Sequence, residues 1–376
     1  MRAFILILLF ILPNLGWAQG CMDLDFGPVA YPQLATSGRA LAMGNAYISK
    51  VDDSAAPFYN AAGLGTVRPT NFHLTDIHFE SSQDYLTMPK GTTSDFWQGA
   101  FGNVTIEGTR VNLKDNIGDV AYSRFNILPN FTMRYFSFGY LLSQQSRMTI
   151  LSDTSPYEWA FRFDQGPYLS INFSFFGGVI KVGAMGVWLI RRELYGCGPQ
   201  DETVFIEEDD YAKGNGFFSD MGVRVTLPTD WIPAFSLSFH NAFGGSFNVT
   251  QQPKLTVYNP NPRPLQNYAN TMDLGVSITP RIGKLARLHI EVNLNDLLGK
   301  FDEVDTLRRL LIGGEYDWER KYFIRLGMVD GYVSGGFGFK SRHFNFALST
   351  YGAELDPTGW HVKQERRYLI AFDFGI

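Results

Sequence analysis

The chain has 376 residues, room for two or three ordinary domains or one large all-β domain. Its net charge is −5, from 32 Lys and Arg against 37 Asp and Glu, which leaves no broad basic face for a nucleic acid. Aromatic residues make up 15% and charged residues 18%, with 38 glycines, a composition that disfavours both disorder and a helical enzyme.

Met1 and Arg2 precede an apolar run from Ala3 to Pro13, and Gly16-Trp17-Ala18 sets small residues before Gln19. This pattern reads as a secretory signal peptide over residues 1–18, too short to serve as a membrane anchor. The exported compartment permits a Cys21–Cys197 disulfide. A lipid on Cys21 and two separate thiols stay open as alternatives, because connectivity does not follow from sequence.

Residues 19–67 show no alternation and are rich in small side chains. From residue 70 onward the apolar pattern has period 2. Met221, Val223, Val225 and Leu227 alternate with polar residues, as do Met272, Leu274, Val276 and Ile278, and Leu288, Ile290, Val292 and Leu294. The expected strands are 70–80, 118–127, 130–142, 166–177, 178–194, 216–227, 233–243, 269–278, 285–296, 307–317, 321–328, 332–340, 343–350 and 364–376. Their length suits tilted spanning strands, glycines recur inside them, and fourteen is an even number. Short turns at 128–129, 228–232, 279–284, 318–320 and 341–342 alternate with longer loops at 81–117, 143–165, 195–215, 244–268, 297–306 and 351–363, and only the short connection at 329–331 departs from this, on the long-loop side. The stretch 143–165 is ambiguous, because Tyr157, Trp159, Phe161 and Phe163 alternate within it and fit an outward extension of the next strand or an extra hairpin.

The fold class expected is all-β: a transmembrane antiparallel barrel over 68–376, with residues 19–67 in its lumen or in the periplasm. A barrel of this width leaves a water-filled hole unless something plugs it. The expected inward faces carry Arg134, Lys181, Arg224, Asp273, Glu291, Glu315, Arg325 and Lys340, along with His240, His289 and His343.

The strongest motif precedes the first strand. It runs Ser37-Gly38-Arg39-Ala40-Leu41-Ala42-Met43-Gly44-Asn45-Ala46-Tyr47, then Val51-Asp52-Asp53-Ser54-Ala55-Ala56, then Tyr59-Asn60-Ala61-Ala62-Gly63-Leu64. It resembles the opening of the FadL-type outer-membrane barrels, which include long-chain fatty-acid transporters and aromatic-hydrocarbon channels, and is similar to their PorV and TraF-like relatives. Gly38, Arg39, Met43, Gly44, Asp52, Asp53, Asn60 and Gly63 fill motif positions, while Ala61 stands where the family has Pro and Asn45 where it has a second Gly. His289 to Leu298, Ile312 to Tyr316 and Arg325 to Gly327 carry a second similarity. The resemblance implies a fourteen-stranded barrel in a bacterial outer membrane, with a luminal hatch and no cofactor. In physical terms, Gly38, Gly44, Gly63 and Gly65 permit tight turns, and Asp52 and Asp53 offer charge to inward cations.

Signals for an enzyme are lacking. There is no Gly-x-Ser-x-Gly elbow and no HExxH, and the His residues are scattered, so neither a catalytic role nor a metal site is expected. Glu207-Glu208-Asp209-Asp210 reads as a solvated acidic loop, without the spacing of a calcium loop. By the resemblance, the function expected is passive transport of a hydrophobic or amphipathic small molecule, with membrane lipid around the barrel. The alternative is a PorV-like barrel that transports nothing and docks a protein partner at its outer loops. An apolar path from hatch to outer loops separates the first from a sealed, charged lumen in the second.

Overall fold

The computed structural model describes residues 34–67, 71–88, 106–204, 206–356 and 358–375. The signal peptide, Cys21 and the rest of 1–33 lie outside them.

Seventeen strand segments form one closed antiparallel sheet. They are β1 (Asn71–Ser82), β2 (Val120–Ile127), β3 (Asn130–Met133), β4 (Phe136–Ile150), β5 (Tyr157–Phe175), β6 (Ile180–Gly198), β7 (Ala212–Thr226), β8 (Ala234–His240) and β9 (Asn248–Gln251). The series continues with β10 (Thr271–Ile278), β11 (Arg281–Ile282), β12 (Ala286–Leu294), β13 (Leu310–Trp318), β14 (Tyr322–Val329), β15 (Tyr332–Lys340), β16 (Phe344–Glu354) and β17 (Gln364–Gly375). β17 pairs back onto β1 from Asp76↔Asp373 to Ser82↔Arg367, so the sheet has no free edge. β2 and β3 both lie between β1 and β4 and make one stave, β8 and β9 both pair along β7 and make another, and the two-residue β11 pairs only with β12, so the barrel has fourteen staves.

Side chains alternate as period 2 requires. On β14, Leu326 is 66% exposed while its neighbour Arg325 is 4% exposed. Val276, Val292, Ile312, Leu348, Ile370 and Phe372 point out in the same way. Burial is therefore inverted relative to a soluble sandwich: aliphatic and aromatic groups face outward, as lipid demands, and polar groups face in.

The expected register fails in one region. The turn placed at 128–129 is a break within one stave, and the strand placed at 130–142 is divided between β3 and β4. Pro129 lacks an N–H, yet Leu128 N still donates to Asp76 O (2.9 Å) and Tyr140 N to Pro129 O (3.0 Å), so the ladder runs on across an interruption. The true turn is Arg134-Tyr135, where Tyr135 takes φ of 79°. The stretch 143–165 is mostly strand. β4 runs to Ile150 and β5 starts at Tyr157, so the aromatic alternation extends the strands outward. Among the described residues of the long loop after β1 are the helices α3 (Gln83–Thr87) and α4 (Ile106–Lys114), and α3 packs against β1, β2 and β17.

Candidate functional site in the lumen

Residues 34–67 form α1 (Gly38–Ala42), α2 (Ala56–Tyr59) and a 3-10 turn (Ala61–Thr66). They lie inside the barrel. α1 contacts β14 to β17, and the 3-10 turn contacts β5, β6 and β7. Ser37 caps α1 through Ala40 N, and Asn60 caps the 3-10 turn, its Oδ1 accepting from Ala62 N at 3.0 Å.

The contact between segment and wall depends on glycine in the wall. A Cβ on Gly313 would sit 2.2 Å from Met43 O, on Gly327 2.3 Å from Gly44 N and on Gly183 2.2 Å from the Ala61 carbonyl carbon. On Gly222 it would meet Asn60 Oδ1 at 2.0 Å, and on Gly275 Ile48 Cγ1 at 2.6 Å. These wall glycines are inward positions on β13, β14, β6, β7 and β10. They let backbone meet backbone where any side chain would hold the two apart. The sequence reading noticed glycine in the strands but missed this role; its signal is a glycine at an inward position of strand after strand. Within the segment, only Gly44 among the expected turn glycines has a positive φ, 62°. Gly38, Gly63 and Gly65 serve close approach instead, and a Cβ on Gly63 would meet Val51 O at 2.5 Å.

Arg39 is the hub of the segment. Its Nε and Nη2 donate to Glu315 at 2.6 and 2.7 Å, and its Nη1 donates to Asp52 at 2.6 Å and Tyr47 Oη at 2.9 Å. Asp53 is a longer partner at 3.5 Å and accepts from Tyr47 Oη at 2.5 Å. Glu315 also accepts from Arg325 Nε at 2.9 Å. A fork-to-fork pair of this geometry is directional as well as strong. Burial pushes the Asp52 carboxyl up, but the Arg39 guanidinium beside it wins and holds it down at about 2.

The other expected inward groups divide. Glu291 accepts from Ser49 N at 2.7 Å and meets His289 Nε2 at 3.0 Å, and Arg224 Nη1 reaches Val51 O at 3.4 Å. These hold the N-terminal segment. Asp273 instead accepts from Asp296 N at 2.8 Å and lies 3.4 Å from His240 Nε2, tying down a loop. Lys181 bonds to Gly178 O in the adjoining turn. Lys340 faces a cavity of about 100 Å³ that Arg39, Asp53 and Arg325 also line. Two placements are corrected. Arg134 sits in a turn, with Nε 3.4 Å from Gly65 O, and not on a strand. His343 is exposed in the turn before β16, because that turn ends one residue later than the sequence pattern suggested.

The wall toward the long loops is different. Met185, Val187 and Leu189 follow Gly183 on the inward face of β6, and with Leu141, Tyr168 and Phe218 they form one buried apolar cluster. The cluster joins Phe58, Tyr59 and Leu64 of the N-terminal segment to Phe247, Leu265 and Tyr268 of the loop after β8. Phe58 meets Tyr168 edge-on at 4.9 Å, and Phe218 meets Phe247 at 4.7 Å. An apolar column thus connects the segment to the loops along β4 to β7. The Arg39 and Glu291 networks lie along β12 to β15, while beyond Leu189 and Tyr168 the inward Arg191 and Glu193 of β6 pair with Asp164 and Arg162 of β5, at 2.6 Å each.

The acidic stretch before β7 is spent on ion pairs: Glu208 with Arg192 (3.2 Å) and Lys213 (2.5 Å), and Asp209 with Lys254. Cys197 is buried near the end of β6 and is not a free thiol. Its expected partner Cys21 falls outside the described residues.

Among solved structures, the toluene transporter TodX of Pseudomonas putida aligns over 93% of this chain and 99% of its own, with TM-score 0.50 and 10% identity. This chain shares the barrel fold of that transporter. The Ralstonia pickettii toluene transporter TbuX covers 90% of this chain and 98% of its own, with TM-score 0.51 and 10% identity. The CymD monoaromatic hydrocarbon channel covers 90% and 96%, with TM-score 0.50 and 7% identity. At such identities the likeness concerns fold and not cargo. No protein-family profile and no curated protein matches this sequence.

Proposed function

We propose that this chain is an outer-membrane channel for passive passage of hydrophobic or amphipathic small molecules. The observation that carries the reading is the apolar column from the loop cluster Phe247, Leu265 and Tyr268 to the N-terminal segment. A lumen filled with water has no use for Val187 and Leu189 facing inward; a path for an apolar solute does. In this reading, cargo enters through the outer loops and moves down the column. Residues 19–67 act as a hatch, with Gly38, Arg39, Met43, Gly44, Asp52, Asp53, Asn60 and Gly63 as its working residues. Residues 1–18 direct export and are removed, and Cys21 pairs with Cys197. The hydrocarbon cargoes of TodX and TbuX are of the chemistry this column would admit.

The test uses a phenylnaphthylamine dye, which an intact lipopolysaccharide leaflet excludes. Cells producing the protein should take up the dye faster than cells without it, and Val187→Asp should abolish the gain by putting a charge in the column. Equal uptake with and without the protein would overturn the reading. One observation favours docking of a protein partner: Phe243, Leu255 and Val257 in the loop after β8 are 75%, 74% and 86% exposed. That reading requires the dye to be excluded whether or not the protein is present.

A further inference from the structure

At the short-turn end, two neighbouring turns carry an unusual charge. The first, 279–285, bears Arg281 and Lys284, and the second, 319–321, bears Arg320 and Lys321. Arg287, opposite Arg281 in the β11–β12 pairing, adds a fifth cation. The turns are held side by side by Glu319 N donating to Leu285 O at 2.9 Å, and the groove between them has a volume of about 800 Å³. The carboxylates in the groove are Asp317 and Glu319. Asp317 accepts from Arg320 N at 2.7 Å, and Glu319 lies 3.7 Å from Lys321. Five basic groups against two acids leave a strong local excess in a chain whose net charge is −5.

The groove opens at the barrel rim: the register puts Arg281, Arg287 and Asp317 on the inward face, and Lys284, Arg320 and Lys321 stand on the exposed turns next to the outer, lipid-contacting face. Trp318 and Tyr322 point outward with ring centroids 5.9 Å apart, and Tyr322 meets Phe339 in a tilted pair at 5.5 Å. Aromatic girdles of this kind mark the headgroup level of a bilayer. Arg320 and Lys321 lie between these two aromatics in sequence, so their charges sit at that level. Beside them Ile282 and Leu285 are 48% and 59% exposed, an apolar pair next to the cations.

We propose that this groove binds the phosphate of an anionic phospholipid in the leaflet at the short-turn end. Arg and Lys supply phosphate donors, Ile282 and Leu285 meet the start of the acyl chains, and the aromatic girdle fixes the depth. The site is independent of what passes through the lumen.

The test is native mass spectrometry of the full barrel in mild detergent, with phosphatidylglycerol or phosphatidylethanolamine added at equal concentration. Phosphatidylglycerol should be retained at least tenfold more. The triple variant Lys284→Gln, Arg320→Gln, Lys321→Gln, whose changes are all on exposed turn residues, should lose that preference. Arg320→Gln alone should reduce it in part. Equal retention of the two lipids, an unchanged preference in the triple variant, or full displacement of lipid by inorganic phosphate would overturn the proposal.

Discussion

Replacing Arg39 with Met is the sharpest test of the hatch. Methionine keeps the length and the apolar stem and removes only the guanidinium. The change strips Glu315 of two short hydrogen bonds, at 2.6 and 2.7 Å, and Asp52 of one, at 2.6 Å. Removing one partner of a buried pair costs about 3–5 kcal/mol. Two features place this case at the low end. Glu315 retains Arg325 at 2.9 Å, and the Arg39 side chain is 16% exposed and so partly screened by water. A cost of about 3 kcal/mol shifts the ratio of docked to undocked hatch by roughly 100-fold, at 1.4 kcal/mol per decade. The assay is single-channel conductance in planar bilayers, which counts rare openings directly. A barrel lacking residues 34–67 sets the fully open level. Arg39→Met should open in bursts to that level, with open probability raised by about two orders of magnitude. If open probability changes less than threefold while the truncated barrel conducts freely, the Arg39 network does not latch the hatch, and docking rests on the other contacts of the segment, such as Glu291 with Ser49 and the wall glycines. If the truncated barrel conducts no better than the parent, residues 34–67 are no plug.

The glycine contacts have their own test. Gly313→Ala puts a methyl 2.2 Å from Met43 O and should raise leak conductance and shorten the lifetime of the closed state. At the adjacent Gly314 the nearest atom to a new Cβ is 3.5 Å away, so Gly314→Ala should behave as the parent. For pH, the Asp52 carboxyl is held below its ordinary value of 3.8, at about 2. A depressed carboxyl contributes stability above its ordinary value and loses it as pH falls through the depressed one. The hatch should therefore stay closed at pH 4 and begin to leak only toward pH 2, and leak beginning near neutrality would contradict the Arg39–Asp52 pairing. In the column, Phe218→Ala removes a fully buried ring, should cost about 3 kcal/mol in unfolding free energy, and should slow dye uptake. For the cysteines, intact mass under non-reducing conditions should be two hydrogens below that of the reduced chain, and two free thiols would refute the Cys21–Cys197 pairing.

Much of this architecture is legible in one dimension. Period-2 alternation with glycine and aromatic residues defines spanning strands, because a strand has only two faces and each must suit one medium. The alternation from Tyr368 to Phe374 predicts a strand, and β17 pairs with β1 to close the sheet. The hatch motif is legible for a similar reason: Arg39 flanked by small residues cannot lie in lipid, and Asp52 and Asp53 need a cation. Interruption defeats the pattern. Leu128-Pro129 looks like a turn because proline ends most ladders, and only the partners on β1 and β4 show that the stave continues.

Which residues meet inside the barrel is a matter of closure and register. Arg39 finds Glu315 across 276 residues of sequence, and no local signal links them. The same holds for the wall glycines, since Gly313 and Gly314 are indistinguishable until register puts one against Met43 and the other toward lipid. The apolar column is likewise invisible in any single strand, because Val187 on an inward face of β6 looks like an error of alternation until Phe218 and Tyr168 are brought beside it. The sequence by itself determined the strands and their facing and marked the charged N-terminal segment as distinct from them, because these follow from local periodicity and solvent preference. Only the tertiary structure decided what that segment touches and where the lumen is apolar, because those depend on contacts between residues far apart in sequence, 276 positions for Arg39 and Glu315.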